Sequence, residues 1–229
     1  MAFGNSFQRT TPVVLNLIII NVLVYFAQMA FGGSSDLNSV NDLFALHHYK
    51  SEVFRPYQLI THMFMHGGLF HLLFNMLALW MFGSMVEKVW GPKRFLIFYF
   101  ICGFVAALAQ MGSYIHEWWP YDHAILPVDV YDQYQMALRA TATVGASGAI
   151  MGVLAAFGYM FPNTTLFIMP IPFPIKAKYA IIGIIALDVF GGVVKVQGDN
   201  IAHFAHVGGA LAGILLVLYW NKTNKKTFY

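Results

Sequence analysis

One serine and one histidine, each beside glycines on a helical face, are the residues of this 229-residue chain best placed for covalent chemistry. Ser147 lies in Gly145-Ala146-Ser147-Gly148-Ala149-Ile150-Met151-Gly152, where a polar segment gives way to an apolar run. A serine at a helix N-terminus has free backbone N–H groups and the positive end of the helix dipole beside it, which favour a developing alkoxide or oxyanion. His206, Gly209 and Gly213 follow one another at i, i+3 and i+7, so the imidazole and both glycines face the same way. Packing that face on Gly148 and Gly152 brings the imidazole to the serine hydroxyl, the nucleophile and base of covalent hydrolysis. Taken singly, each motif has a plainer reading. Ser147, Gly148 and Gly152 make a small-xxx-small packing surface, and a lone histidine can simply hydrogen-bond a neighbouring helix.

His71 and Asn75 stand four residues apart on one helical face, and both carry donors suited to the oxygen of a tetrahedral intermediate. Their alternative is an interhelical hydrogen-bond pair. His62 and His66, at i and i+4 and followed by His71, have a spacing that suits a shared ion. No carboxylate or cysteine lies nearby in sequence and no His-Glu-x-x-His occurs, so no metal site is assigned. The serine is not at a soluble-hydrolase elbow, because Gly-x-Ser-x-Gly would need glycine where Ala149 stands. Asp188 is the one acid well inside an apolar run. It is open to a triad role beside His206, but a structural pairing, with His203 as the partner, is the reading favoured.

These residues need a scaffold that holds them at membrane depth. With 59% apolar and 10% charged residues the chain exceeds what a soluble core can hide, which defines an integral membrane protein. The single cysteine, Cys102, excludes a disulfide framework and a cysteine metal site. The first apolar run, Val13 to Phe31, is too long for a signal-peptide core and no small-residue cleavage site follows it, so it reads as a retained span. Six segments approach the roughly 20 apolar residues that a spanning helix needs. They run from about Thr11 to Phe31, Leu69 to Val86, Phe95 to Met111, Val144 to Met160, Tyr179 to Val196 and Ile201 to Trp220. The third and fourth are short. A single domain of residues 1–229, with its core at about 11–221 and no separate soluble domain, is expected.

Lys and Arg collect on the cytoplasmic side. With the N-terminus inside, nine of the 13 (Arg9, Lys88, Lys93, Arg94, Lys176, Lys178, Lys222, Lys225, Lys226) are cytoplasmic and four are outside. Eight of the ten acids then fall outside. Both termini are expected in the cytoplasm, and His71, Asn75, Ser147 and His206 near the outer leaflet. In the first outer loop, Val40 to Leu46 reads as a short amphipathic helix at the interface. The segment from about Gly112 to Thr143 reads as a second long outer loop with interfacial aromatics.

Together these features resemble a rhomboid intramembrane serine protease. The match rests on Gly145-Ala146-Ser147-Gly148, Ala205-His206-x-x-Gly209-x-x-x-Gly213, and His71 with Asn75. Glu52-Val53-Phe54-Arg55 in the first loop and Glu87 ahead of Gly91 add to it. The resemblance implies an all-α, six-transmembrane-helix bundle with a membrane-associated first outer loop. It also implies a Ser147 and His206 dyad, and an oxyanion site of His71, Asn75 and the Ser147 N–H. Arg55, Glu87, Gly145, Gly148, Gly209 and Gly213 are then structural positions. Such proteins cleave single-pass or multi-pass membrane proteins in the bilayer, without metal or cofactor, and nucleic acid is not an expected partner. The compact form suggests a bacterial inner membrane. Two positions depart from the family pattern: Phe54 stands where many relatives have Trp, and Met151 where a Tyr commonly stacks on the histidine. The alternatives are a non-catalytic rhomboid-like protein that binds membrane helices and a small transporter. The presence of both serine and histidine argues against the first. A transporter would be expected to carry paired polar sites near the midplane.

Overall fold

Backbone surrounded by hydrocarbon must satisfy its own N–H and C=O groups, so long apolar runs become helices. In the computed structural model, which describes residues 10–31, 39–167, 173–194 and 201–223, they do. The first helix, α1 (Pro12–Phe31), opens on a proline, whose missing N–H has no partner to lose in a first turn. The first loop then forms α2 (Val40–Phe44), β1 (Leu46–His47) and α3 (Gln58–Thr61), followed by a 3-10 turn, His62–Phe64. The second span, Leu69–Trp90, is one rod: α4 (Leu69–Ala78), a π-helical stretch (Leu79–Gly83) and α5 (Ser84–Trp90). Gly91, at φ +82°, turns the chain into α6 (Pro92–Asp122). After it come α7 (Val128–Ala140), β2 (Ala142–Thr143), α8 (Ser147–Met160), a small hairpin of β3 (Thr165–Leu166) and β4 (Ile175–Lys176), α9 (Ala177–Val194) and α10 (His203–Thr223).

Three expectations change. The third span is not short: α6 has 31 residues and continues to Asp122, because aromatic and polar residues at an interface can stay helical when their backbone is already hydrogen-bonded. Much of the supposed second loop is also helix, since α7 occupies Val128–Ala140. The fourth span is shorter than expected. Among the described residues five helices are long and apolar enough to cross a membrane, and α8 has 14 residues. At 1.5 Å per residue it is about 21 Å long, against roughly 30 Å of hydrocarbon. Its residues from Gly148 to Gly158 are all buried, so protein rather than lipid surrounds it and it need not match the bilayer.

α8 is central because glycines let α6 and α10 close on it. A Cβ on Gly148 would lie 2.5 Å from the Ala106 Cβ of α6, and one on Gly152 2.5 Å from Cys102 Sγ and 2.9 Å from the Gly209 carbonyl oxygen of α10. On the opposite helix, a Cβ on Gly213 would lie 2.5 Å from the Gly152 carbonyl oxygen. This is the close backbone approach that drives helix association in lipid, where burial of apolar surface does not.

The first loop is held by side chains rather than by its own ladders. Gln58, fully buried, donates to the carbonyls of Asp42, Leu43 and Val53 at 2.9, 3.2 and 2.9 Å. Asp42 also receives Arg139 of α7 through Nε at 3.0 Å and an Nη at 2.7 Å, which ties the loop to α7. That guanidinium holds the Asp42 carboxyl below its ordinary value, against the opposing effect of burial. Gln28 of α1 brackets His66, accepting its N–H at 2.8 Å and donating to its carbonyl at 3.2 Å.

Glu87 of α5 explains its place in the motif. Its carboxylate accepts the N–H groups of Val13 at 3.0 Å and Val14 at 2.8 Å, capping the start of α1 with charge of the sign the helix dipole favours. The residue is 1% exposed and Val14 is buried while Val13 is only partly so, so Glu87→Ala strands one donor away from water and a second in part. The expected cost is on the order of 1–3 kcal/mol per stranded group. A lowered melting temperature in detergent is expected; a wild-type melting curve would contradict this account.

Candidate active site

The N-terminal ends of α4, α8 and α10 meet around one open cavity of about 910 Å³, lined among others by Gly67, Gly68, His71, Asn75, Thr143, Ser147 and His206. Ser147 is the first residue of α8. The chain reaches it through Gly145 at φ +128°, a backbone that L side chains rarely adopt. This turn is held on several sides. Gly145 donates its N–H to the His62 carbonyl at 2.9 Å, β2 pairs antiparallel with β1, and Thr143 shares a hydrogen bond with Tyr114 of α6. The His62 ring is not at the cavity: its Nδ1 meets the Gln58 carbonyl at 2.9 Å, and burial brings its pKa down to about 4.

The glycine faces of α8 and α10 set the key distance. With Gly209 and Gly213 against the backbone of Gly148 and Gly152, His206 Nε2 stands 2.8 Å from Ser147 Oγ. Asp188 of α9 fixes the other side of the ring, its Oδ1 lying 2.9 Å from His206 Nδ1. The same oxygen lies 2.9 Å from His203 Nδ1. The sequence reading paired Asp188 with His203 and had no registration for it against His206; the structure brings both to one carboxylate.

His71 lies across the turn. Its Nδ1 accepts the Gly67 N–H at 3.3 Å, so a neutral ring carries its proton on Nε2. That nitrogen is beside the active turn, since a Cβ on Gly145 would lie 2.9 Å from it and 3.5 Å from Ser147 Oγ. Asn75, one turn further along α4, is buried, and its Nδ2 has no hydrogen-bond partner among the described residues. A buried unpaired amide is costly. Asn75 lines the same cavity as Ser147 and His71.

Other sequence candidates lie elsewhere. Gly67 and Gly68 line the cavity, whereas His66 is 2% exposed and packs edge-on against His71 with ring centroids 5.1 Å apart. Burial, with His71 adding to it, lowers the His66 pKa to about 4. Among the described residues no three His, Cys, Asp or Glu side chains converge to hold a metal ion. Met151 is buried in the core. Arg55 donates from one Nη to the carbonyls of Glu52 at 3.0 Å and Phe54 at 2.7 Å, closing its own exposed turn. Sequence reasoning missed Gln58 and the His62 carbonyl, because neither belongs to a periodic pattern.

The family follows from comparison. Residues 53–222 match the family model described as Rhomboid domain, so the chain belongs to the rhomboid family, a multi-pass integral membrane protein. It is 30% identical over 210 residues to the Rhomboid protease AarA of Providencia stuartii, covering 88% of this chain and 70% of that protein. The Rhomboid protease GluP of Bacillus subtilis is 30% identical over 209 residues, 90% of this chain and 34% of that protein. The mitochondrial presenilin-associated rhomboid-like protein of Homo sapiens is 33% identical over 157 residues, 68% of this chain and 36% of that protein. The chain thus spans about a third of the length of the last two.

Proposed function

We propose that this chain is a serine endopeptidase that cleaves other membrane proteins within or beside their spanning helices. Ser147 is the nucleophile and His206 the general base. The supporting observation is the 2.8 Å approach of His206 Nε2 to Ser147 Oγ on the wall of an open cavity. Ser147 Oγ attacks the scissile carbonyl carbon while its proton passes to His206 Nε2. The carbonyl oxygen, now negative, accepts from His71 Nε2–H, Asn75 Nδ2–H and the Ser147 N–H. As the tetrahedral intermediate collapses, His206 returns the proton to the leaving amine. Water then attacks the acyl-enzyme with His206 again as base, freeing Ser147 and a carboxylate product. No cofactor or metal has a role in this scheme.

A single rhomboid domain across residues 11–221 carries the activity in this reading. On the same reading both termini are cytoplasmic and the cavity opens towards the outside, which the excess of Lys and Arg on one side supports. The direct test is to incubate purified protein in proteoliposomes with a labelled single-span membrane protein. Two fragments whose junction maps in or beside the spanning segment are expected. A substrate that binds and stays whole would favour the helix-binding, non-catalytic reading instead.

The oxyanion assignment makes its own prediction. His71→Ala and Asn75→Ala should each lower kcat more than they raise KM, because their donors act on charge present only in the transition state. Losing one such donor costs about 2.7–4 kcal/mol in a soluble serine protease, an upper guide here because two donors remain. The double variant should lose less than the sum. Wild-type kcat in both single variants, with melting curves to exclude unfolding, would make the pair an interhelical tie.

A further inference from the structure

Asp188 takes no part in the scheme above, yet it ends an unbroken chain of polar contacts that begins at the serine. Ser147 Oγ is 2.8 Å from His206 Nε2, and His206 Nδ1 is 2.9 Å from Asp188 Oδ1. The acid is 8% exposed on a helix that is apolar beyond its first turn, where an ionisable group is costly and needs partners. His203 is one such partner, at 2.9 Å, and is enough by itself to tie α9 to α10. The second contact, to His206, is more than a tie requires.

The local packing is cut to allow both. Three residues along α9 from Asp188, a Cβ on Gly191 would stand 2.5 Å from His203 Cε1, and one on Gly192 3.2 Å from His203 Cβ. With no side chain there, the first turn of α10 sits against α9 closely enough for the ring of His203 and, one turn later, that of His206 to reach the same oxygen.

We infer that Asp188 is a positioning residue that holds His206 in the tautomer protonated on Nδ1, with His203 as the second donor that stops the carboxylate from rotating. The inference rests on the protease reading of Ser147 and His206. An ionised carboxylate only accepts hydrogen bonds, and a neutral imidazole has one N–H. The His206 proton therefore goes to Nδ1, and the Nε2 lone pair is left facing the Ser147 hydroxyl. When Ser147 gives up its proton, Asp188 faces the imidazolium that results. The active-site base is in this way supported from α9, a helix with no residue among those that line the cavity.

The test uses Asp188→Ala, Asp188→Asn and His203→Ala in purified full-length protein. Steady-state kinetics on a labelled single-span substrate are read beside solid-state NMR of ¹⁵N-histidine-labelled protein in bilayers, with His206 resonances identified by their loss in His206→Gln. In the parent protein His206 Nε2 should be unprotonated and Nδ1 protonated; in Asp188→Ala a tautomer with protonated Nε2 should appear. Asp188→Ala should lose on the order of 10²-fold in kcat with KM within about threefold, the lower end of what a positioned base contributes. Asp188→Asn keeps an acceptor oxygen and should lose less, and His203→Ala less again. Equal losses in Asp188→Ala and His203→Ala that track their melting temperatures, with the His206 tautomer unchanged, would reduce Asp188 to an interhelical tie. If Asp188→Ala does not fold, the parent spectrum decides: a His206 ring protonated on Nε2 overturns the inference. The tautomer needs no turnover to be read, so cleavage by Ser147→Ala at the parent rate would sink the protease reading alone.

Discussion

Ser147→Ala is expected to abolish cleavage while the protein folds as before. The hydroxyl is the proposed nucleophile, and no neighbouring group replaces it. In a soluble serine protease the equivalent loss is on the order of 10⁶-fold in kcat. Folding should survive because the hydrogen bond that Ser147 Oγ makes is to His206 Nε2, and alanine is the best helix former at the first position of α8. His206→Ala should lose nearly as much, and the double variant hardly more, since the two act as one unit. The measurement is fragment release from a labelled membrane substrate, with a melting curve for each variant. Cleavage by Ser147→Ala near the parent rate would remove the assignment of this serine as nucleophile.

Gly209→Ala is expected to damage stability and activity together, although it adds only a methyl group. A Cβ at this position falls on the Gly148 carbonyl oxygen, and that carbonyl belongs to the backbone of α8 and cannot swing away as a side chain would. The helices must part. Forcing extra volume into a packed interior typically costs about 1–3 kcal/mol and sometimes more. Because the same contact sets the spacing between His206 and Ser147, a parting of even 1 Å lengthens the 2.8 Å hydrogen bond beyond its useful range. Gly112→Ala is the matched control. It makes the same change inside α6, where an added Cβ meets nothing within 4 Å. Gly112→Ala should therefore be neutral or stabilising by about 0.5–1 kcal/mol, the usual gain of alanine over glycine in a helix. Thermal melting and cleavage rates of the two variants compare them directly. A Gly209→Ala protein that melts and cleaves like the parent would show that α8 and α10 tolerate a wider approach than the geometry implies.

Much of the arrangement was legible in the chain because helical periodicity turns spacing into facing. The i, i+3 and i+7 positions of His206, Gly209 and Gly213 are enough to put the imidazole on the close-packing side of α10. The i, i+4 spacing of His71 and Asn75 did the same for α4. Asp188 was different. It lies on α9, which beyond its first turn is apolar around its circumference apart from Asp188, so no hydrophobic stripe says which side faces α10 and at what height. Lengths were misread for a related reason. Hydropathy measures affinity for lipid, and α8, enclosed by protein, need not be as long as the bilayer is thick. At the far end of α6 the same measure mistook a helix for a loop, since Tyr114 to Asp122 are mostly aromatic and polar rather than apolar and yet stay helical, even through Pro120.

By itself, then, the sequence determined that this is a multi-pass helical membrane protein of the rhomboid family, and which faces of which helices carry serine, histidine and the paired donors. Those properties are local: hydrophobicity over about 20 residues and periodicity over a few turns. Only the tertiary structure decided the distances. The 2.8 Å between His206 and Ser147 depends on how deeply glycine faces separated by more than 50 residues interlock. The positive φ of Gly145 is held by a carbonyl from the first loop. The meeting of two imidazoles on the Asp188 carboxylate depends on the shelf at Gly191 and Gly192. Each is a relation between segments remote in sequence, set by steric contact at ångström scale, and no single segment contains the information that fixes it.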